Sequence, residues 1–263
     1  MNDLIYVYCI LNSPPDLSRN FEFEGLQFLV FDQLYVVIKY VSESEFSEEN
    51  FKSNLSDIQW VETNEREHIG IIKTLMEYDT VFPLKFGTIF NTENSLKMFI
   101  TDYSDSLTEF FHHVKGMEEW SVQIYCNRKL LSEQIDELSE ETATLEKQIM
   151  ASSPGKAFLL KRDKTELIEK EIDRICKNYG QEYYNEFRNL SRSTSINNLL
   201  PKEYTERNDT MILNAAFLVN KNKVTDFIST VDMLRKKDRD SCFSIETTGP
   251  QPPFSFISLN MKS

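Results

Sequence analysis

Glycine is scarce in this sequence, with seven in 263 residues, and histidine is scarcer still, with three. The first shortage leaves little backbone for phosphate cradles: there is no G-x-x-x-x-G-K-[ST] loop, no G-x-G-x-x-G turn and no G-x-S-x-G elbow. The second leaves no H-E-x-x-H zinc helix. His112-His113 are adjacent on an expected helix and so point about 100° apart, whereas helical ligands need i, i+3 or i+4 spacing. The four cysteines, Cys9, Cys126, Cys176 and Cys242, form no C-x-x-C pair and read as free, mostly buried thiols of a reducing compartment. No run reaches the roughly 18 to 20 apolar residues of a spanning helix. The longest candidate, Leu26 to Val41, carries Gln27, Asp32, Gln33 and Lys39. The opening Met1-Asn2-Asp3-Leu4 lacks a basic region ahead of its short apolar stretch, so secretion is not expected. Positive charge is also in deficit, 29 Lys plus Arg against 42 Asp plus Glu for a net −13, which argues against a nucleic-acid partner.

What is present suits a folded protein. Apolar residues make 40% of the chain, and its length allows two domains. Strands are expected at Leu4 to Leu11, Leu26 to Phe31 and Leu34 to Val41, the last two forming a hairpin across Asp32-Gln33. A short acidic helix follows from Ser42 to about Ser53, then a longer one N-capped by Asp57. Val81 to Ile89 is strand-like but holds Pro83, so an edge or irregular strand is expected. A helix from Asn91 or Thr92 then runs to Gly116.

The second part opens with a strand over Glu118 to Cys126. Leu131, Ile135, Leu138, Leu145 and Ile149 follow at steps of 4, 3, 7 and 4, with Thr142 filling the skipped position, and after Ser152-Ser153-Pro154-Gly155 a second stripe runs through Ile168, Ile172, Ile175, Tyr179, Tyr183 and Phe187. Two such stripes meeting at a short turn predict an antiparallel helical hairpin. Met211 to Val219, a helix over Val224 to Lys236 and a strand over Cys242 to Thr247 complete a strand and crossover-helix order, with an extended piece over Phe254 to Leu259. The fold class read from this order is α+β. An N-terminal α/β domain over residues 1–117 precedes a ferredoxin-like domain over 118–263 carrying the hairpin at about 128–190. The acidity is unequal: residues 1–118 hold 8 basic and 20 acidic groups, residues 119–263 hold 21 and 22.

Chemistry is thinly signalled. Glu65 and His68 stand at i, i+3, a spacing used by carboxylate-histidine metal motifs, but no second such motif exists and a solvent-facing or interface pair is expected. Tyr183, Tyr184 and Phe187 recur at helical steps and read as core rather than as a base-stacking surface. The run Thr248 to Phe256 has the proline spacing of a polyproline ligand without its basic flanks, and reads as a stiff turn in which Gly249 supplies a positive φ. No metal and no cofactor are expected. An enzyme or small-molecule sensor built on a ferredoxin-like ligand-binding domain, with a pocket near Lys85 or Glu65 and His68, is the alternative.

Five motifs stand in order along the chain: Pro83-Leu84-Lys85-Phe86-Gly87-Thr88, Glu119-Trp120-Ser121-Val122, Gly155-Lys156-Ala157-Phe158-Leu159, Leu213-Asn214-Ala215-Ala216-Phe217-Leu218-Val219 and Gly249-Pro250-Gln251-Pro252-Pro253-Phe254-Ser255-Phe256. Over nearly the entire chain they resemble the gas vesicle protein family GvpF/GvpL, whose forms are P-L-R-F-G-T, E-W-x-V, G-x-A-Y-L, L-N-x-A-Y-L-V and G-P-W-P-P-Y-S-F. His68 matches the histidine of the family's H-E helix, with Ile69 where its Glu would be. Gln251 replaces Trp, Phe158 and Phe254 replace Tyr, and Lys85 replaces Arg without its bidentate fork. The resemblance implies a non-catalytic cytoplasmic accessory protein, associated with the gas vesicle and active in its nucleation and assembly. It also implies contacts with the hydrophobic shell protein GvpA and other Gvp accessory proteins that limit shell-protein aggregation.

Overall fold

A computed structural model describes residues 3–15, 23–237 and 242–260. Its contacts divide the chain into two units, Met1–Glu119 with Pro250–Ser263, and Trp120–Gly249. The expected boundary at 117/118 assigned the C-terminal segment to the second part. That segment groups instead with the first unit, where Phe254 packs into the core and Ser255 is bonded to Glu119.

The first unit is a five-stranded sheet with helices. β1 (Asp3–Leu11) is flanked by β3 (Leu34–Ser42) on one side and by β4 (Val81–Pro83) and β5 (Ile89–Phe90) on the other, and β2 (Gln27–Phe31) lies outside β3. Every pairing of β1 is antiparallel. As the central strand it is buried on both faces, which is why it reads as a continuous apolar run. The β1/β3 register slips between Val7 and Cys9, so Tyr8 is an extra residue. A bulge reverses the side-chain alternation. Leu4 and Tyr6 before it, Tyr8 at it, and Cys9 and Leu11 after it consequently enter the same core, against Ile71, Ile72 and Leu75. Pro83, lacking an N–H to donate, sits on the edge strand β4 as expected.

The expected acidic helix is two short ones, α1 (Glu43–Phe46) and α2 (Glu48–Asn54), divided at Ser47, which caps the second. Asp57 does cap α3 (Ile58–Met76), accepting from Gln59 and Trp60 N–H. The helix expected up to Gly116 is likewise broken at Tyr103 into α4 (Glu93–Asp102), opened by a Thr92/Ser95 capping box, and α5 (Ser104–Val114).

The second unit takes up β6 (Met117–Cys126) from Trp120 onward, and this strand leads into the helical pair. Its first arm is three pieces, α6 (Arg128–Glu133), α7 (Ile135–Leu138) and α8 (Glu140–Met150), and its second is the single 36-residue α9 (Pro154–Asn189), with Pro154 in its first turn. Ile135, Thr142 and Ile149 are buried, but Leu138 is 53% exposed. The break after α7 rotates that position out of the expected seam, while Thr142 takes its expected place there and its hydroxyl bonds Ile135 and Ser139 carbonyls.

β7 (Ser193–Ile196), which the sequence pattern did not reveal, pairs antiparallel with β8 (Thr210–Asn220) after the short α10 (Lys202–Thr205). α11 (Val224–Lys237) and β9 (Phe243–Gln251) follow. The strand order β7-β8-β6-β9 within a βαββαβ succession is ferredoxin-like. Phe187, Phe217 and Phe227 meet in its core at ring separations of 5.6 to 5.8 Å, and Tyr183 is buried with them, as expected. Three of the four free cysteines, Cys126, Cys176 and Cys242, come together beside Leu131, Ile135 and Ile172 at the root of the hairpin. Phe254–Phe256 is a 3₁₀ turn rather than the extended piece expected there.

Candidate functional site

The motif residues sort into three internal clamps and one exposed tip. The first clamp is the Leu84–Thr88 loop laid along β1. Leu84 N–H donates to Tyr8 carbonyl at 3.0 Å and Val7 N–H to Thr88 carbonyl at 2.9 Å. Lys85 carbonyl accepts from Thr88 N–H and Thr88 hydroxyl, closing a turn whose third residue, Gly87, has φ +78°. A Cβ there would also lie 2.3 Å from Phe51. Both conformation and space demand glycine.

His68 holds this loop from beneath. It is 1% exposed, not the solvent-facing partner of Glu65 that the i, i+3 spacing suggested. Its Nε2 lies 2.9 Å from Leu84 carbonyl, which can only accept, so Nε2 carries the proton and Nδ1 accepts from Tyr6 hydroxyl at 3.0 Å. Tyr6 oxygen in turn accepts Gly87 N–H at 3.1 Å. Burial penalises the imidazolium and lowers the His68 pKa from 6.5 to about 4, and the same desolvation raises both Tyr6 and Tyr8 well above their ordinary range. Beside this network Glu67 accepts from Tyr8 hydroxyl at 3.3 Å and pairs with Lys39. Both imidazole nitrogens are engaged by protein groups, so His68 is built as a brace. Lys85 itself is exposed, and Phe86 packs between Phe51 and Trp60.

The second clamp lies in the first unit around the C-terminal segment. Pro252 and Pro253 are buried, and the carboxylate of Glu119, 5% exposed, accepts Ser255 N–H at 3.1 Å and Ser255 hydroxyl at 2.7 Å. Burial raises the Glu119 pKa from 4.5 to about 7, with the two Ser255 bonds opposing the rise. Phe256 lies 6.4 Å from the His113 ring, and Ser106 exchanges hydrogen bonds with the Asn260 backbone.

The third clamp is in the second unit. Gly249 lies within β9 with Trp120 against it: a Cβ would fall 2.5 Å from the indole. Its φ is not positive, so the turn expected there is absent and the glycine is needed for space alone. Asn214 is buried in β8; its side chain donates to Asn198 carbonyl at 2.8 Å and its own carbonyl accepts Asn197 N–H, fixing the stretch after β7. Phe217 is fully buried.

The Gly155 motif behaves differently. Gly155 and Phe158 belong to the start of α9, where Phe158 is 74% exposed, Leu159 59%, and Met150 at the end of α8 77%. Among the described residues no group of three or more His, Cys, Asp or Glu is placed to hold a metal ion, and no helix is long and apolar enough to cross a membrane.

A family model described as gas vesicle synthesis protein GvpL/GvpF matches residues 4–258. The chain belongs to this family. It is 21% identical over 260 residues to gas vesicle protein L of Streptomyces sp. (strain CB03234), covering 97% of this chain and 93% of that protein. It is similar in fold to the crystal structure of GvpF from Anabaena sp. PCC7120, with a TM-score of 0.75, 18% identity and 98% and 99% of the two chains covered. GvpF from Microcystis aeruginosa gives a TM-score of 0.68 at 20% identity, with 98% and 100% covered. The chain thus carries a gas vesicle protein of mixed helix and sheet, and the expected motifs fall within the matched region.

Proposed function

We propose that this GvpL/GvpF family member acts without catalysis in gas vesicle assembly, in the cytoplasm and in association with the vesicle. It would hold the hydrophobic shell protein GvpA and other Gvp accessory proteins and limit shell-protein aggregation before the wall grows. The family match over residues 4–258 carries this reading. Two features support it. The motif side chains inside the clamps spend their polar groups on one another, leaving a braced scaffold rather than an aimed acid, base or nucleophile. Exposed apolar residues, including Ile196 at the end of the edge strand β7 and Leu199, Leu200 and Tyr204 after it, offer contact area of the kind an apolar client requires.

The test is a deletion strain complemented with the wild-type chain, scored by buoyancy and vesicle count, together with binding of purified protein to shell protein. Few or no vesicles despite continued shell-protein synthesis, and binding without nucleotide turnover, are expected. Normal vesicles in the deletion strain, or a turnover activity required for assembly, would overturn the reading.

A further inference from the structure

Cations recur along the whole helical pair, and on its stem they are interleaved with carboxylates: Arg128 pairs with Glu169 and Asp173 at 2.7 Å, and Lys164 with Asp136 at 2.6 Å and Glu146 at 2.8 Å. At the tip no carboxylate is interleaved. Residues 147–162 contain Lys147, Lys156, Lys161 and Arg162 and no carboxylate, before Asp163 ends the run. All four are exposed and, among the described residues, none of the four is in an ion pair. The same tip displays Met150, Phe158 and Leu159 to solvent. A basic cluster edged by exposed apolar side chains, in a chain of net charge −13, stands out on both counts.

Its complement occurs in the same chain. Residues 43–62, spanning α1, α2 and the start of α3, carry Glu43, Glu45, Glu48, Glu49, Asp57 and Glu62 against Lys52 alone. All six carboxylates are exposed, and Ile58 and Leu55 there are 73% and 47% exposed. Among the described residues, Glu48 alone of the six has a cationic partner, Lys52 at 2.6 Å. Both surfaces therefore pair an apolar centre with charge of opposite sign.

We propose that the hairpin tip of one molecule docks on the acidic α1–α3 corner of a second copy. The two patches differ, so the contact is heterologous: each bound molecule offers a fresh corner and a fresh tip, and association is open-ended unless the rotation closes a ring. Charge sets the register and the encounter rate, and the apolar residues supply the buried centre. This does not depend on which other proteins the chain binds.

Sedimentation velocity on the purified full-length chain tests it. Average mass should rise with protein concentration at low salt and fall back toward monomer as salt is added, the reverse of the response of an acidic protein whose copies merely repel. Two exposed-surface variants sharpen the reading. The tip reversal Lys156→Glu/Lys161→Glu/Arg162→Glu and the corner reversal Glu43→Lys/Glu49→Lys/Glu62→Lys should each weaken self-association by about tenfold or more. Mixed together they should associate again, since each tip then faces a corner of opposite charge. Circular dichroism confirms that both fold. A wild-type chain that stays monomeric at every concentration and salt, reversal variants that associate as the wild type does, or a mixture that stays dispersed would each overturn the proposal.

Discussion

In the first unit the motif loop after β4 is fixed by a run of hydrogen bonds from Gly87 through Tyr6 and His68 to Leu84, whereas in the second the motif residues Trp120, Gly249 and Phe217 are fixed by contact between apolar surfaces. The two units ought therefore to fail differently. A buried polar network is intolerant of losing one member, because the partner left behind keeps its desolvation penalty. An apolar core responds to volume and to inserted charge.

The largest effect should come from charge in the apolar unit. Ile172 is 1% exposed at the hairpin root beside Leu131 and Ile135, so Ile172→Asp should cost about 4 kcal/mol or unfold the unit. Leu138→Asp on the facing arm, at a position 53% exposed, should shift stability by less than about 0.5 kcal/mol. Urea denaturation of both separates them. Equal losses would restore Leu138 to the seam.

The polar unit is probed at His68. His68→Phe keeps a ring of similar bulk but strands Tyr6 hydroxyl and Leu84 carbonyl, and should cost about 3 kcal/mol. The wild type also carries a pH signature. With the folded pKa near 4 and the unfolded one at 6.5, the unfolded chain binds the extra proton between those values. The contribution of neutral His68 is complete above pH 6.5 and is lost as pH falls toward 4, so the difference between wild type and His68→Phe should narrow with acid. A gap unchanged from pH 8 to pH 4.5 would deny the buried neutral imidazole.

The two motif glycines sharpen the contrast further. Gly87→Ala should cost about 2 kcal/mol and Gly249→Ala a similar amount, each from its close neighbour. They part company when that neighbour is trimmed. With Trp120→Leu, the loss at Gly249 should nearly vanish, because space was its whole requirement. With Phe51→Leu, about 1 kcal/mol should persist at Gly87, since its φ of +78° stays unfavourable for alanine.

Much of this architecture was legible from periodicity and caps. β1, the β2/β3 hairpin, the Asp57 cap, α11 and the paired helices follow from apolar spacing and capping chemistry that act locally. What escaped was tertiary. Ser193–Ile196 has no alternation to distinguish β7 from a loop, and only pairing with β8 makes it a strand. The break after α7 moves Leu138 off a seam that its heptad spacing had satisfied. At the clamps, the residues were legible but their roles were not: His68 owes its burial to Tyr6, 62 positions away, and Gly249 owes its requirement to Trp120, in a strand far back in the sequence. The motif at Gly155 and Phe158 looks like the others on the page and differs from them in being exposed.

A modest effect whose sign changes with pH is expected at Glu119, a buried carboxylate that accepts both bonds from Ser255. Its pKa rises to about 7 from 4.5, so between those values the folded chain is the one holding the extra proton. The favourable contribution is present below pH 4.5 and is lost as pH climbs through 7, the opposite sense to His68. Glu119→Gln keeps one acceptor oxygen and removes the titration. It should lower stability by about 1 kcal/mol near pH 5, where one bond to Ser255 is lost, and approach or exceed the wild type near pH 8, where the native carboxylate bears its full desolvation cost. Melting temperatures of the pair across that range should therefore cross or converge. Parallel curves would mean that the Ser255 bonds fully offset burial and that Glu119 stays ionised throughout, a brace of the same kind as a surface cap.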